Sequence, residues 1–113
     1  MIPKIIVAGG REFSNYQLLS SVLSELGEFI LVCGMARGAD LLGHRFATEH
    51  DLLILEYPAD WDRFGKSAGH RRNAEMGKNA DALVAFWDGK SPGTRHMIDA
   101  MKTLGKPYEI ITY

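Results

Sequence analysis

Two textures alternate along the 113-residue chain: short apolar runs, and longer stretches in which apolar residues return every three or four positions. Lys4 to Ala8, Phe29 to Cys33, Leu52 to Tyr57, Ala82 to Trp87 and Tyr108 to Thr112 read as five strands. Between the first two, Leu18, Leu19, Val22, Leu23 and Leu26 share one helical face, opened by a Ser14-x-x-Gln17 capping box and stopped at Gly27. The spacing predicts a second helix over Ala39 to His50, burying Leu42, Phe46 and Ala47, and a third over Ser67 to Lys78. A fourth runs from Thr94 to Leu104 with Met97, Ile98, Met101 and Leu104 on one face; Gly105 and Pro107 end it.

Strands as uniformly apolar as IIVA, FILVC, LLIL and ALVAF are expected to be buried on both faces, as a parallel sheet covered by helices requires. The strict βα alternation therefore predicts an α/β fold: a single Rossmann-like, doubly wound parallel sheet of about five strands with helices on both faces, occupying 1–113 as one domain. Right-handed crossovers bring the exits of the first four strands to one edge, where open sheets of this type bind ligands. Pro58 to Lys66 is expected to be a long loop, functional or mobile.

Composition adds limits. With 46% hydrophobic residues there is enough apolar material for one core. A formal charge of -1 excludes a uniformly basic nucleic-acid coat and an acidic solvating tail. No apolar run approaches the roughly 18 residues of a membrane span, so a cytoplasmic protein with no membrane partner is expected. Cys33 is the only cysteine and reads as a buried strand residue; neither a metal site nor a cofactor is expected.

Sorting charge by position changes the picture. The four exit segments, 9–15, 34–40, 58–73 and 87–96, hold eight of twelve glycines and carry +3, leaving -4 on the rest. Glycine-rich turns at helix starts can aim several amides at a phosphate, and guanidinium forks match phosphate oxygens two at a time. Gly9, Gly10, Gly34, Gly38 and Gly93 with Arg11, Arg37 and Arg72 are thus candidate ligand contacts. Neither GxGxxG nor a P-loop is present, so this reading rests on placement. Asp40 is suited either to capping the second helix or to accepting ribose hydroxyls, and Trp61 either to stacking on a base or to anchoring its loop. His70 and His96 lie near the edge without metal-like spacing, and neither a catalytic carboxylate pair nor a nucleophile elbow is evident.

Four blocks in order, VAGGREFSNY, CGMARGADLLGHRFA, YPADWDRFGKSAGHRRNAEM and VAFWDGKSPGTRHMIDAMKTLGKP, resemble the SLOG superfamily, which unites the Smf/DprA DNA-processing proteins with the LONELY GUY phosphoribohydrolases. They are most similar to its YspA, cpYpsA-related branch. The resemblance implies binding of a nucleotide or nucleotide-derived molecule through Gly9, Gly10, Arg11, Gly34, Gly38, Asp40, Arg72, Asn73, Gly93 and Thr94. Arg72 matches the phosphoribohydrolase arginine, but Asn73 replaces the lysine, SPGT shortens the glycine loop and Met97 occupies the catalytic glutamate position. Cleavage of an N-glycosidic bond needs a carboxylate near the sugar, so Glu75 or Asp88 would have to substitute.

The expected function is binding of a phosphorylated small molecule, nucleotide or ADP-ribose-like, in a sensor, carrier or sequestering role. A nucleotide-processing hydrolase is the alternative and single-stranded nucleic-acid binding the third reading, against which the modest +3 edge argues. Small domains of this architecture often complete their clefts by dimerising, so a homo-oligomer is expected.

Overall fold

The computed structural model describes residues 1–113. Five strands, β1 (Lys4–Gly9), β2 (Ile30–Cys33), β3 (Ile54–Glu56), β4 (Ala82–Trp87) and β5 (Tyr108–Thr112), form one parallel sheet in the order β3-β2-β1-β4-β5. The helices are α1 (Tyr16–Ser24), α2 (Ala39–Glu49), α3 (Trp61–Phe64), α4 (Ala68–Asn79) and α5 (Pro92–Leu104). The fold is the α/β, Rossmann-like arrangement that the strand-helix alternation predicts.

Alternating side chains of the central strands feed two separate cores. Ile5, Val7, Leu31, Cys33, Val84 and Phe86 pack with Leu19 and Leu23 of α1 and Phe46 and Ala47 of α2. Ile6, Ala8, Val32, Leu83 and Ala85 pack on the other face with Met76 of α4 and Met97, Ile98 and Met101 of α5. Cys33 is fully buried, and burial pushes its thiol up to about 11. No helix is long and apolar enough to cross a membrane.

Four local expectations are corrected. Asn15, not Ser14, caps α1: its side chain accepts the Leu18 amide at 3.0 Å, while the Ser14 carbonyl accepts the Tyr16 amide. β3 is an edge strand with neighbours on one side only, so Ile54 and Leu55 are half-buried and Leu53 is exposed. The segment 58–66 is not all loop; Asp60 accepts the Arg63 amide at 3.2 Å and starts the single turn α3, which leads through a 3₁₀ turn into α4. Helix α5 starts two residues earlier than predicted because Pro92 occupies its first position.

The two glycine turns after β1 and β2 meet backbone to backbone. The Gly10 carbonyl accepts the amides of Phe13 and of Ala39, the first residue of α2, both at 3.2 Å. Gly38, at φ 82° and ψ -129°, lies so close that an added Cβ would sit 2.3 Å from the Gly10 oxygen. This backbone region is essentially closed to other residues, and the neighbour is another main chain that has no room to yield. Gly38→Ala is accordingly expected to cost about 3 kcal/mol or more. Urea denaturation checks this, and an unchanged midpoint would refute it.

Candidate functional site

The sheet changes its direction of winding between β1 and β4. β1 leads into α1 on one face and β4 into α5 on the other, so their exits diverge and leave a crevice. The crevice has a volume of about 530 Å³ and is bounded by the β1 exit from Ala8 to Glu12, Asp40 of α2, Trp61 of α3, Arg72 and Asn73 of α4, and the turn from Asp88 to Thr94. A second lobe of about 420 Å³ opens between the turn Gly34 to Arg37 and the segment Pro58 to Trp61. Arg11, Ala36, Trp61 and Arg72 border both lobes.

Of the residues singled out in the sequence, Gly9, Gly10, Arg11, Asp40, Trp61, Arg72, Asn73, Gly93 and Thr94 line the main lobe. Gly34 and Arg37 line the second, together with Arg11, Trp61 and Arg72. Gly38 lines neither, since it is packed beneath the β1 turn. The glycines thus separate into kinds. A Cβ on Gly9 would lie 2.3 Å from the Phe86 carbonyl, and one on Gly10 would collide with the Tyr113 hydroxyl, whereas Gly93 faces open space. Gly9 is small for packing inside the protein; at Gly93 nothing from the protein fills the space a side chain would occupy.

Arg72 is fixed from several sides. Its Nε donates to Asn73 Oδ1 at 3.0 Å, and its Nη1 donates to the Gly34 carbonyl and, at 3.5 Å, to the Tyr57 carbonyl, leaving Nη2 without a protein partner. Asn73 in turn donates to the Gly93 carbonyl at 3.3 Å, tying α4 to the first turn of α5. Arg11 is exposed and makes no ion pair or side-chain hydrogen bond. Arg37 instead crosses the mouth to Glu12 at 2.7 Å. Thr94 is buried, its hydroxyl donating to Ser91 Oγ at 3.2 Å, and no side chain caps the amides at the start of α5. Such an end carries partial positive charge.

Asp40 is the carboxylate inside the crevice, and it is 6% exposed. It does not cap α2: Oδ2 accepts the Ala36 amide at 3.3 Å in the turn before the helix. A Cβ on Gly34 would lie 2.7 Å from Arg72 Nη1 and 2.8 Å from Asp40 Oδ2, so the absent side chain lets both groups approach the same spot. Burial nevertheless outweighs the pull of Arg72, the Ala36 amide and Arg11, and raises the Asp40 carboxyl to about 6. Asp88 behaves oppositely. Its exposed carboxylate accepts the Ser91 and Lys90 amides, each at 2.8 Å, and these bonds hold it below the usual range.

Trp61 remains 51% exposed on the wall between the lobes, with its ring edge resting over Gly69. His70 lines the main lobe and stacks on His96 at 3.8 Å between ring centroids; burial, then the His70 charge, lowers the His96 pKa. Tyr113 is a lining residue the sequence reading missed. It follows β5, packs edge-on against Phe13 and sits over Gly10. Applying the strand-exit rule to the fifth strand as well as the first four would have found it.

The Asp40 shift carries a stability consequence. A carboxyl raised above its unfolded value favours folding while it is neutral, so its contribution is complete below about pH 4 and is lost as pH rises through about 6. Asp40→Asn cannot ionise and retains an acceptor for Ala36. It is expected to match the unmodified protein near pH 4 and to exceed it by on the order of 2 kcal/mol at pH 8. Urea titrations at the two pH values measure the difference; equal stability at both would contradict this account of Asp40.

Comparison with known proteins bears on the fold and the family. The profile of the YspA, cpYpsA-related SLOG family matches residues 3–64, which contain the β1 and β2 turns and Asp40. The chain is 38% identical over 115 aligned positions to the Gene 61 protein of Mycobacterium phage D29, covering 92% of each. Its fold matches the X-ray structure of DNA processing protein A (DprA) from Streptococcus pneumoniae with a TM-score of 0.85 at 17% identity. That match covers 99% of this chain and 51% of the DprA chain, so this protein spans about half of that structure's length. Because the family profile spans more than half of the chain, the chain belongs to the YspA, cpYpsA-related SLOG family.

Proposed function

We propose that the crevice binds a nucleotide or nucleotide-derived small molecule, in the role of a sensor, carrier or sequestering protein. The observation that carries this reading is the convergence of two guanidinium groups, Arg11 and the free Nη2 of Arg72, with the uncapped start of α5 on one crevice at the winding switch. The Arg72 guanidinium and the α5 amides are held in place by the protein and suit phosphate oxygens without further ordering, while Arg11 is a mobile cation at the same opening. Asp40 supplies an acceptor for sugar hydroxyls, and Trp61 offers an exposed aromatic face for a base.

A hydrolytic reading has one observation in its favour, the buried Asp40 carboxyl in the crevice with its pKa near 6. Against it, Met97 lies at the crevice floor where the phosphoribohydrolases carry glutamate, Glu75 does not line the crevice, and Asp88 is held by backbone amides at the mouth. Release of free base from a nucleoside monophosphate, abolished by Asp40→Asn, would move the reading from binding to turnover.

Thermal-shift and calorimetric titration with mono-, di- and cyclic nucleotides and ADP-ribose tests the proposal; at least one is expected to stabilise the fold, by about 2.7 kcal/mol at a hundredfold excess over Kd. No stabilisation by any member would overturn it, and salt-steep binding to oligonucleotides alone would favour the nucleic-acid reading. Arg11→Ala, which removes an exposed side chain with no protein partner, is expected to weaken binding by roughly 1.5 to 3 kcal/mol without moving the urea midpoint. Arg72→Ala is expected to lower both, because it also releases the Gly34, Tyr57 and Asn73 bonds.

A further inference from the structure

We propose that the second lobe is an anion subsite, so that the ligand class of the crevice is a nucleotide bearing two separated phosphate groups. The inference rests on the nucleotide reading of the main lobe and extends it. The two lobes differ in charge. The main lobe sets Glu12, Asp40 and Asp88 against Arg11, Lys66 and Arg72. The second contains three guanidinium groups, Arg11, Arg37 and Arg72, and no carboxylate. Of the three, Arg37 is paired with Glu12, Arg72 has Asp40 beside it and Arg11 has no carboxylate partner, so an anion entering the lobe still meets more positive than negative charge.

Arg72 joins the two lobes. The Gly34 and Tyr57 carbonyls and Asn73 hold its guanidinium on the boundary between the lobes, so its position is set before any ligand arrives. Arg11 shares that boundary. A phosphate in the main lobe and a second in the smaller lobe would therefore flank the same two arginines. Arg37 closes the far side, and its protein partner is Glu12, in an ion pair whose side chains are 68% and 85% exposed. A pair so exposed contributes little and is readily exchanged for a phosphate. Glu12 thus competes with the second phosphate for Arg37, and binding there must release it.

The test compares adenosine and guanosine 5′-monophosphates with their 3′,5′- and 2′,5′-bisphosphates and 5′-diphosphates by calorimetry, at fixed ionic strength. At least one bisphosphate is expected to bind about tenfold tighter than its monophosphate, the equivalent of one charge-assisted hydrogen bond. Arg37→Ala is expected to reduce that preference to within about twofold, and Glu12→Gln, which frees Arg37, to increase it. Both positions are exposed, and an unchanged urea midpoint verifies the fold of each variant. Equal affinity for mono- and bisphosphates, a bisphosphate preference no greater than that for diphosphates, or one that survives Arg37→Ala would overturn the subsite while leaving the nucleotide reading intact. If no nucleotide binds at all, both readings fall.

Discussion

Everything at the crevice depends on one main-chain junction, the contact of the β1 turn with the start of α2. The Gly10 carbonyl takes two amides, and Gly38 fits against it because it has no side chain. Burying that carbonyl against a helix start satisfies the Ala39 amide, the first of α2, a helix whose start has no side-chain cap. The junction fixes where α2 begins. It therefore fixes the position of Asp40 relative to Arg11, and through Gly34 the position of both relative to Arg72.

From that junction the polar groups of the crevice divide into those the protein satisfies and those it leaves open. Asn73, Thr94, Asp88 and one face of Arg72 are bonded within the protein. Arg11, the remaining Arg72 nitrogen and the first amides of α5 are not. Asp40 lies between the two groups: it has a single long bond from Ala36 and a buried site that resists its charge. A fold selected for stability alone would place an apolar or amide side chain there, since an ionised carboxyl in that position costs free energy at neutral pH. Under the proposed binding role, the loss of local stability at Asp40 is the cost of keeping a hydrogen-bond acceptor beside the held Arg72.

The elements were largely legible because their signals are local. Period-2 and period-3.6 patterns depend on which face of a segment is buried, and the nearest-neighbour sequence records that. Failures occurred where two local signals were equal or where a distant partner decided. Ser14 and Asn15 are both competent caps, and the position of the preceding Gly10–Phe13 turn chose between them. LLIL is as apolar as the central strands, yet an edge strand and an interior one differ only in whether a neighbour is present. A four-residue helix such as α3 is too short for periodicity to reveal.

The site followed the same division. The sequence alone determined the fold class, the strand-exit edge and the residues concentrated there, because strand-helix alternation and right-handed crossovers leave little topological choice. Only the tertiary structure decided what each residue does. It made Gly38 and Gly9 packing residues, paired Arg37 with Glu12 across 25 positions, placed Tyr113 over the crevice, and divided the space into a mixed lobe and a cationic one. These outcomes turn on contacts of a few ångströms between segments far apart in the chain, and no local pattern encodes such distances.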